Sequence, residues 1–351
     1  MHSRTRHRLV LWFAPFLSVA LTGCAANERA TAEPTAEPSR ASSPATPSKP
    51  YTLVHHGQQL YEVGNGVYSA MFLVHDRGVI AVDAPPTIGP SYRAAIAEVT
   101  DKPVTHVVYS HSHTDHIGAA SLFPDDAVYI AQQETSDILR RRSDPRRPMP
   151  TVTFKDRYTL DVGGQRLELA YFGENHDAGN IFIYAPKQRV LMLVDVIYPG
   201  WVPFKNLGVV ADVQGYIEAH DRALEYDFNI FIGGHVDRAG SRADVVLARD
   251  FVHDLRETCE KALTQVDFYK VAGSVGGNDP WRIYNAYQTQ VVDVATTSMK
   301  SRWASRLRGS DTYLADACWA MVEAISIDLG TAPPRPGQVS SHDHHRHDKA
   351  E

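Results

Sequence analysis

The stretch Val104-Thr105-His106-Val107-Val108-Tyr109-Ser110-His111-Ser112-His113-Thr114-Asp115-His116 decides how this chain reads. Its first half, Val104 to Tyr109, is a short apolar run of the kind found in buried strands. Its second half sets His111, His113, Asp115 and His116 within six residues, on the loop leaving that strand. Imidazoles and a carboxylate at this density are costly to desolvate together unless something binds them. With no thiolate among them the set suits zinc, iron or manganese, and zinc is the commonest. One histidine here would read as an ordinary loop residue; three at this spacing do not.

On either side the sequence alternates strand and helix patterns. Gln59–Glu62 and Val67–Val74 flank the turn Gly64-Asn65-Gly66, and Val79–Val82 follows Arg77-Gly78 as a second hairpin. Helical spacing covers Tyr92–Val99, Ile117–Phe123, Glu134–Arg141, Val213–Tyr226 and Arg242–Gln265. Strands are expected at Ala127–Ala131, Arg157–Val162, Arg166–Phe172, Asn180–Tyr184, Arg189–Val194 and Asn229–Ile232. This mixture predicts a layered α/β protein with helices outside. Trp281 to Leu329 reads as wholly helical, an addition that could be a lid, a dimer interface or extra core.

Three further metal-capable residues stand at strand ends: His176 just before a strand, Asp195 after Val190–Val194, and His235 after Ile230-Phe231-Ile232-Gly233-Gly234. Strand ends at one sheet edge are where ligands converge in such folds. The run His111-x-His113-x-Asp115-His116, followed in order by His176, Asp195 and His235, resembles the metallo-β-lactamase superfamily of hydrolases. Asp83-Ala84-Pro85 matches that family's early Asp-bearing loop, and the resemblance spans roughly Gly66 to Gln265. It implies an α/β, four-layered αβ/βα sandwich (the metallo-β-lactamase fold), here with a C-terminal helical extension, and a dinuclear site at one sheet edge. It further implies that His111, His113 and His176 hold one Zn2+ and Asp115, His116 and His235 a second, with Asp195 bridging. Fe or Mn in their place is not excluded. The chemistry so implied is attack by a metal-bound hydroxide on an ester, lactone or amide of a small molecule, with Asp115 orienting it and moving a proton. No Ser or Cys nucleophile is needed for this, and no nucleophile-elbow motif is evident.

Substrate class is less legible. A bridging Asp195 resembles the glyoxalase II, lactonase and phosphodiesterase branches more than zinc β-lactamases, where that position is usually altered. Asp195-Val196-Ile197-Tyr198 resembles the Asp-x-x-Tyr arrangement of acyl-homoserine lactonases and makes Tyr198 a candidate catalytic oxyanion donor; a packed aromatic beside Trp201 and Phe204 is the competing reading. The segment around His176 lacks the Thr-Pro-Gly-His form of glyoxalase II and lactonases. Two alternatives therefore stand beside the ester, lactone or amide hydrolase: a class B metallo-β-lactamase, and a non-catalytic zinc-binding lipoprotein of the envelope.

Composition and termini bound the rest. With 351 residues, 43% hydrophobic content and a formal charge of -6, the chain is neither a disordered polyampholyte nor a basic nucleic-acid binder. Arg4, Arg6 and Arg8 precede the apolar stretch Leu9–Thr22, and Leu21-Thr22-Gly23-Cys24 resembles a lipobox. Residues 1–24 therefore read as a lipoprotein-type signal peptide, with Cys24 lipid-anchored to a membrane in the bacterial cell envelope, periplasmic or at the surface. Residues 25–50 read as a disordered Pro/Ala/Thr linker, 51–270 as the catalytic domain, 271–330 as the helical extension and 331–351 as a disordered His-rich tail. Cys259 and Cys318 could pair or remain free thiols, with nothing in the sequence to decide. The arginines at 140–142, 146 and 147 read as a solvated loop, or as a basic lip for an anionic substrate. Oligomeric state leaves no signature.

Overall fold

The structure, a computed structural model, describes residues 49–330. The leader with Cys24, the linker up to residue 48 and the His-rich tail lie outside the described residues. Sheet one runs in chain order: β1 (Thr52–His55), β2 (Leu60–Gly64), β3 (Ser69–His75), β4 (Gly78–Val82), β5 (Val104–Val108), β6 (Val128–Gln132) and β7 (Val152–Phe154). Strands β1 to β4 are antiparallel neighbours, and β4 to β7 are parallel. Sheet two contains β8 (Arg157–Val162), β9 (Gln165–Ala170), β10 (Phe182–Ala185), β11 (Val190–Met192), β12 (Ile230–Ile232) and β13 (Gly240–Ser241), in the order β13-β12-β11-β10-β9-β8. There β11 and β12 pair in parallel and the other neighbours antiparallel.

The helices are α1 (Pro90–Val99), α2 (Thr114–Ile117), α3 (Gln133–Arg142), the single turn α4 (Lys205–Val209), α5 (Val213–Ala223), α6 (Arg242–Gln265), α7 (Phe268–Val275), α8 (Pro280–Trp303) and α9 (Ser310–Ala324). Because successive strand residues face opposite ways, each sheet contributes to two cores. In β4, Ile80 and Val82 join Val108, Leu169, Ile183 and Met192 between the sheets. Val79 and Ala81 face the other way, onto a core that contains Tyr92 and Ile96 of α1 and Leu139 of α3. On the far side, Phe182, Leu191 and Phe231 of sheet two meet Tyr216 of α5, Phe251 of α6, Val291 and Trp303 of α8 and Leu314 of α9. These are the four layers expected from the sequence.

The C-terminal helices form part of that outer layer. A boundary at 270/271 falls inside α7, and α8 and α9 share one core with α6 and sheet two. Of the three roles open to the extension, this arrangement is that of extra core. The helical run expected over Trp281–Leu329 breaks at 304–309, where the backbone of Arg308 pairs with Gly200 and Val202. The helix expected at Ile117–Phe123 is two short pieces, α2 and a 3-10 turn at Ala120–Leu122. Cys259 and Cys318 are buried free thiols, with the Cys259 Sγ 3.8 Å from the Cys318 carbonyl oxygen.

Candidate metal centre

Four loops at strand ends deliver the candidate ligands. The loop after β5 carries His111 and His113, and α2 follows at once with Asp115 and His116. His176 comes from the β9–β10 connection, Asp195 from just past β11 and His235 from just past β12. Asp195 is the centre of the arrangement. Its Oδ2 lies 3.0 Å from His116 Nε2, 3.2 Å from His176 Nε2 and 3.6 Å from His111 Nε2, and its Oδ1 lies 3.0 Å from His235 Nε2. Around it the side chains fall into two four-residue groups able to hold a metal ion: His111, His113, His176 and Asp195, and Asp115, His116, Asp195 and His235. All the residues named from the sequence as ligands are thus brought together.

A family model described as the metallo-beta-lactamase superfamily matches residues 63–235, the span from β2 to the last candidate ligand. The chain is a metallo-β-lactamase-fold protein. Among curated proteins of that kind, 2,4-dinitroanisole O-demethylase subunit alpha from Nocardioides sp. (strain JS1661) is 31% identical over 52% of this chain and 57% of its own length. Metallo-beta-lactamase IND-1 from Chryseobacterium indologenes is 29% identical over 36% of this chain and 54% of its own. The chain therefore spans a little over half the length of these relatives. In fold, it resembles the crystal structure of metallo-beta-lactamase IND-7 (TM-score 0.51, 22% identity), covering 59% of this chain and 99% of that one. A metallo-beta-lactamase from Pontibacter korlensis gives a TM-score of 0.50 at 20% identity, over 58% of this chain and 99% of that one.

The donors of this metallo-β-lactamase-fold site fit a cation on physical grounds. His111 is fully buried; its Nδ1 lies 2.9 Å from Ser110 Oγ, and its Nε2 has no hydrogen-bond partner. The ring nitrogens His116 Nε2 and His235 Nε2 lie 3.1 Å apart, and His176 Nε2 and His113 Nδ1 lie 3.0 Å apart. A proton within each pair would satisfy the two nitrogens only with each other, whereas with both lone pairs free a cation between them would take up both. Burial, and then the neighbouring imidazoles, hold His111 well below the usual histidine range; burial and His176 lower His113. Both are thus neutral and ready to ligate. Asp195 is held well below the carboxylate range, His116 and His176 overcoming its burial. Against its own burial, Asp195 raises His116 to about 9.

Tyr198, the candidate oxyanion donor, takes the place its competing reading gave it. Tyr198 is buried, and its hydroxyl donates to the Asp195 carbonyl oxygen at 3.3 Å. Its ring packs edge-on against Phe204, which is the arrangement of the packed aromatic. Trp201 stacks under the Arg308 guanidinium at 4.0 Å, whereas Phe204 is partly exposed with its ring 6.2 Å from His235. The Tyr198 ring lies 5.9 Å from that of His235, and a second phenol, Tyr68 at the β2–β3 hairpin, comes closer. Its hydroxyl donates to Asp115 Oδ2 at 3.2 Å and its ring lies 4.3 Å from that of His235. Burial first, then Asp115, pushes the Tyr68 phenol up to about 12, so it remains a donor at neutral pH.

Further side chains support the site. Asp83 does lie beneath the site: fully buried, it accepts the Ser110 N–H at 2.8 Å, and burial raises its carboxyl to about 6. Asp177 accepts the Ser112 hydroxyl at 2.7 Å, and the Asn180 amide donates to the Val194 carbonyl at 3.0 Å, next to Asp195. Arg140 and Arg146 are exposed and paired with Asp137 and Asp144, as a solvated loop requires. Arg147 departs from that reading. Its side chain is buried, pairs with Asp144 and donates to the Ser112 carbonyl at 2.7 Å, inside the histidine loop.

Gly234 lets His235 approach. Its φ is +81°, and a Cβ there would meet Val194 Cγ1 at 2.6 Å and His116 Cε1 at 3.2 Å. Gly234→Ala is expected to cost about 1–3 kcal/mol of stability through strain and contact and to weaken zinc binding. Urea unfolding and zinc titration of the purified variant check both.

Proposed function

We propose that this chain is a metal-dependent hydrolase of small molecules that holds two zinc ions and cleaves an ester, lactone or amide bond. His111, His113 and His176 would hold one ion and Asp115, His116 and His235 the other, with Asp195 common to both. The observation that carries this reading is Asp195, one buried carboxylate placed within reach of imidazoles from both groups. When bound, divalent cations there supply Lewis acidity and lower the pKa of a coordinated water.

The chain's own residues supply the remainder. Asp115 has a half-exposed carboxylate 3.6 Å from His116 Nε2, open to solvent. It is the group placed to take up a proton and deliver it to a leaving group. Tyr68 donates to that carboxylate, and Phe204 offers an apolar flank beside His235. The β-lactamase alternative draws support from relatives such as metallo-beta-lactamase IND-1. Against it stands Asp195 itself, at a position that β-lactamases usually alter. Export on the leader and anchoring through Cys24 to the bacterial cell envelope remain part of the proposal. Cys24→Ser is expected to move the protein from the membrane fraction to the soluble one.

The test is elemental analysis of the purified protein followed by turnover of a substrate panel: a lactone, a thioester, a β-lactam, a phosphodiester and, prompted by the Nocardioides relative, 2,4-dinitroanisole. Two zinc ions per chain with lactone or ester turnover are expected. Turnover of the β-lactam alone would move the assignment to that branch, and zinc without any turnover would favour the non-catalytic alternative.

A further inference from the structure

Tyr68 reaches the candidate metal centre by a route that is built rather than incidental. The turn before it is closed by Asn65, whose Oδ1 accepts the Val67 N–H at 3.1 Å and the Tyr68 N–H at 2.8 Å. The strand that follows crosses to the other sheet's loop. Tyr68 forms an antiparallel bridge with His235, Ser69 N–H donates to the Gly234 carbonyl at 2.9 Å, and Val236 N–H donates to the Val67 carbonyl at 3.0 Å. His235 Nδ1 lies 3.2 Å from that same Val67 carbonyl. The backbone of 67–69 is therefore locked to the backbone of 234–236. The Tyr68 ring packs 4.3 Å from the His235 ring and 5.5 Å from the His116 ring, and its hydroxyl ends on Asp115.

Three of the four residues in the second group thus touch one side chain. Of these contacts, the hydrogen bond to Asp115 matters most. Asp115 has the most exposed side chain of its group, 47% accessible, whereas His116 and Asp195 are buried. An exposed carboxylate on a four-residue helix has rotamers to lose, and a fixed donor on one oxygen selects among them.

We propose that Tyr68 is a positioning residue of the second metal group: its hydroxyl orients the Asp115 carboxylate toward the cation held with His116 and His235, while Tyr198, for all its Asp-x-x-Tyr spacing, has no part in this. The proposal rests on the two-ion reading above and is tested with the metal alone. Outer hydrogen-bond partners of metal ligands typically contribute about 10- to 100-fold in affinity. Zinc titration of the chelator-stripped full chain against a chromophoric competitor should therefore find two tight sites in the wild type. In Tyr68→Phe the first site is expected to be unchanged and the second about 10- to 100-fold weaker. Tyr198→Phe should bind both as the wild type does.

A double-mutant cycle separates orientation from ring packing. If Tyr68 acts through Asp115, adding Tyr68→Phe to Asp115→Ala, which leaves the hydroxyl nothing to orient, should weaken the second site no further, the non-additivity expected of one linked pair. Phenylalanine keeps the ring against His235, and the cobalt(II) absorption of the first site reports whether each variant is folded. The proposal is overturned if Tyr68→Phe binds both zinc ions within twofold of wild type, if Tyr198→Phe shows the loss instead, or if the two losses add. A wild type that binds fewer than two zinc ions sinks the two-ion reading and this proposal with it. A wild type that binds two but hydrolyses nothing sinks only the hydrolase.

Discussion

Replacing Asp195 by asparagine is expected to drop zinc content from two ions per chain to below one and to abolish turnover. The side chain is buried, and its two oxygens lie within 3.6 Å of imidazole nitrogens on His111, His116, His176 and His235. Asparagine is nearly isosteric, yet it removes the negative charge shared by both groups and presents an amide nitrogen where an acceptor is required. Loss of the Lewis acid forfeits several kcal/mol of charge stabilisation, on the order of a thousandfold in rate or more. Elemental analysis and turnover at saturating zinc read both effects together.

The same substitution has a signature in the chelator-stripped protein. Asp195 holds His116 near 9, above the ordinary histidine value of 6.5. A raised folded-state pKa stabilises most below the unfolded value, so this contribution is complete below pH 6.5 and disappears as pH rises through about 9. Asp195 itself, held low, contributes above its unfolded value of 3.8 and loses that contribution in acid. The Asp195 and His116 contributions together are greatest between about pH 4 and 6.5, while His111 and His113, held low, subtract stability as pH falls below 6.5. In Asp195→Asn both dependences should flatten. Urea midpoints across the range measure this.

The candidate ligands were legible because their chemistry is carried by residue type and spacing. Three histidines and an aspartate in six residues have few other uses, and His176, Asp195 and His235 each follow or precede a readable strand. Histidines without such support turn out to have local partners. His56 lies 2.8 Å from Glu62, His75 2.8 Å from Thr105 and His253 3.0 Å from Asp221, while the His220 Nδ1 lies 2.8 Å from the Tyr216 carbonyl oxygen. Tyr68 was illegible for a different reason. It acts through a bridge between a hairpin in sheet one and a loop in sheet two, and no window of sequence contains both. Tyr198 is the converse, a spacing that points to the site and a packing arrangement that turns the hydroxyl onto a carbonyl. Arg147 likewise looks like its exposed neighbours until the histidine loop folds over it. The strands β1, β7 and β13 escaped because each is short and lies at or next to a sheet edge, where pairing decides more than pattern does.

Asp115→Asn should separate chemistry from metal binding. The side chain is half exposed, so the substitution leaves the core intact, and unfolding midpoints should match wild type. Asparagine retains an oxygen that can accept from Tyr68 and act as a weak ligand, so saturating zinc should still fill both groups. It lacks a basic oxygen to take up a proton. General acid–base catalysis typically contributes 10²–10⁴-fold, and kcat should fall by about that much with KM little changed. The loss should also depend on the substrate. An alkyl lactone expels a strongly basic alkoxide that needs a proton as it leaves, whereas a nitrophenyl ester expels a stable anion that does not. If Asp115 delivers the proton, the lactone should lose far more rate than the nitrophenyl ester, and full recovery of lactone turnover at saturating zinc would show Asp115 to be a ligand only. The non-catalytic alternative predicts no turnover for the substitution to remove.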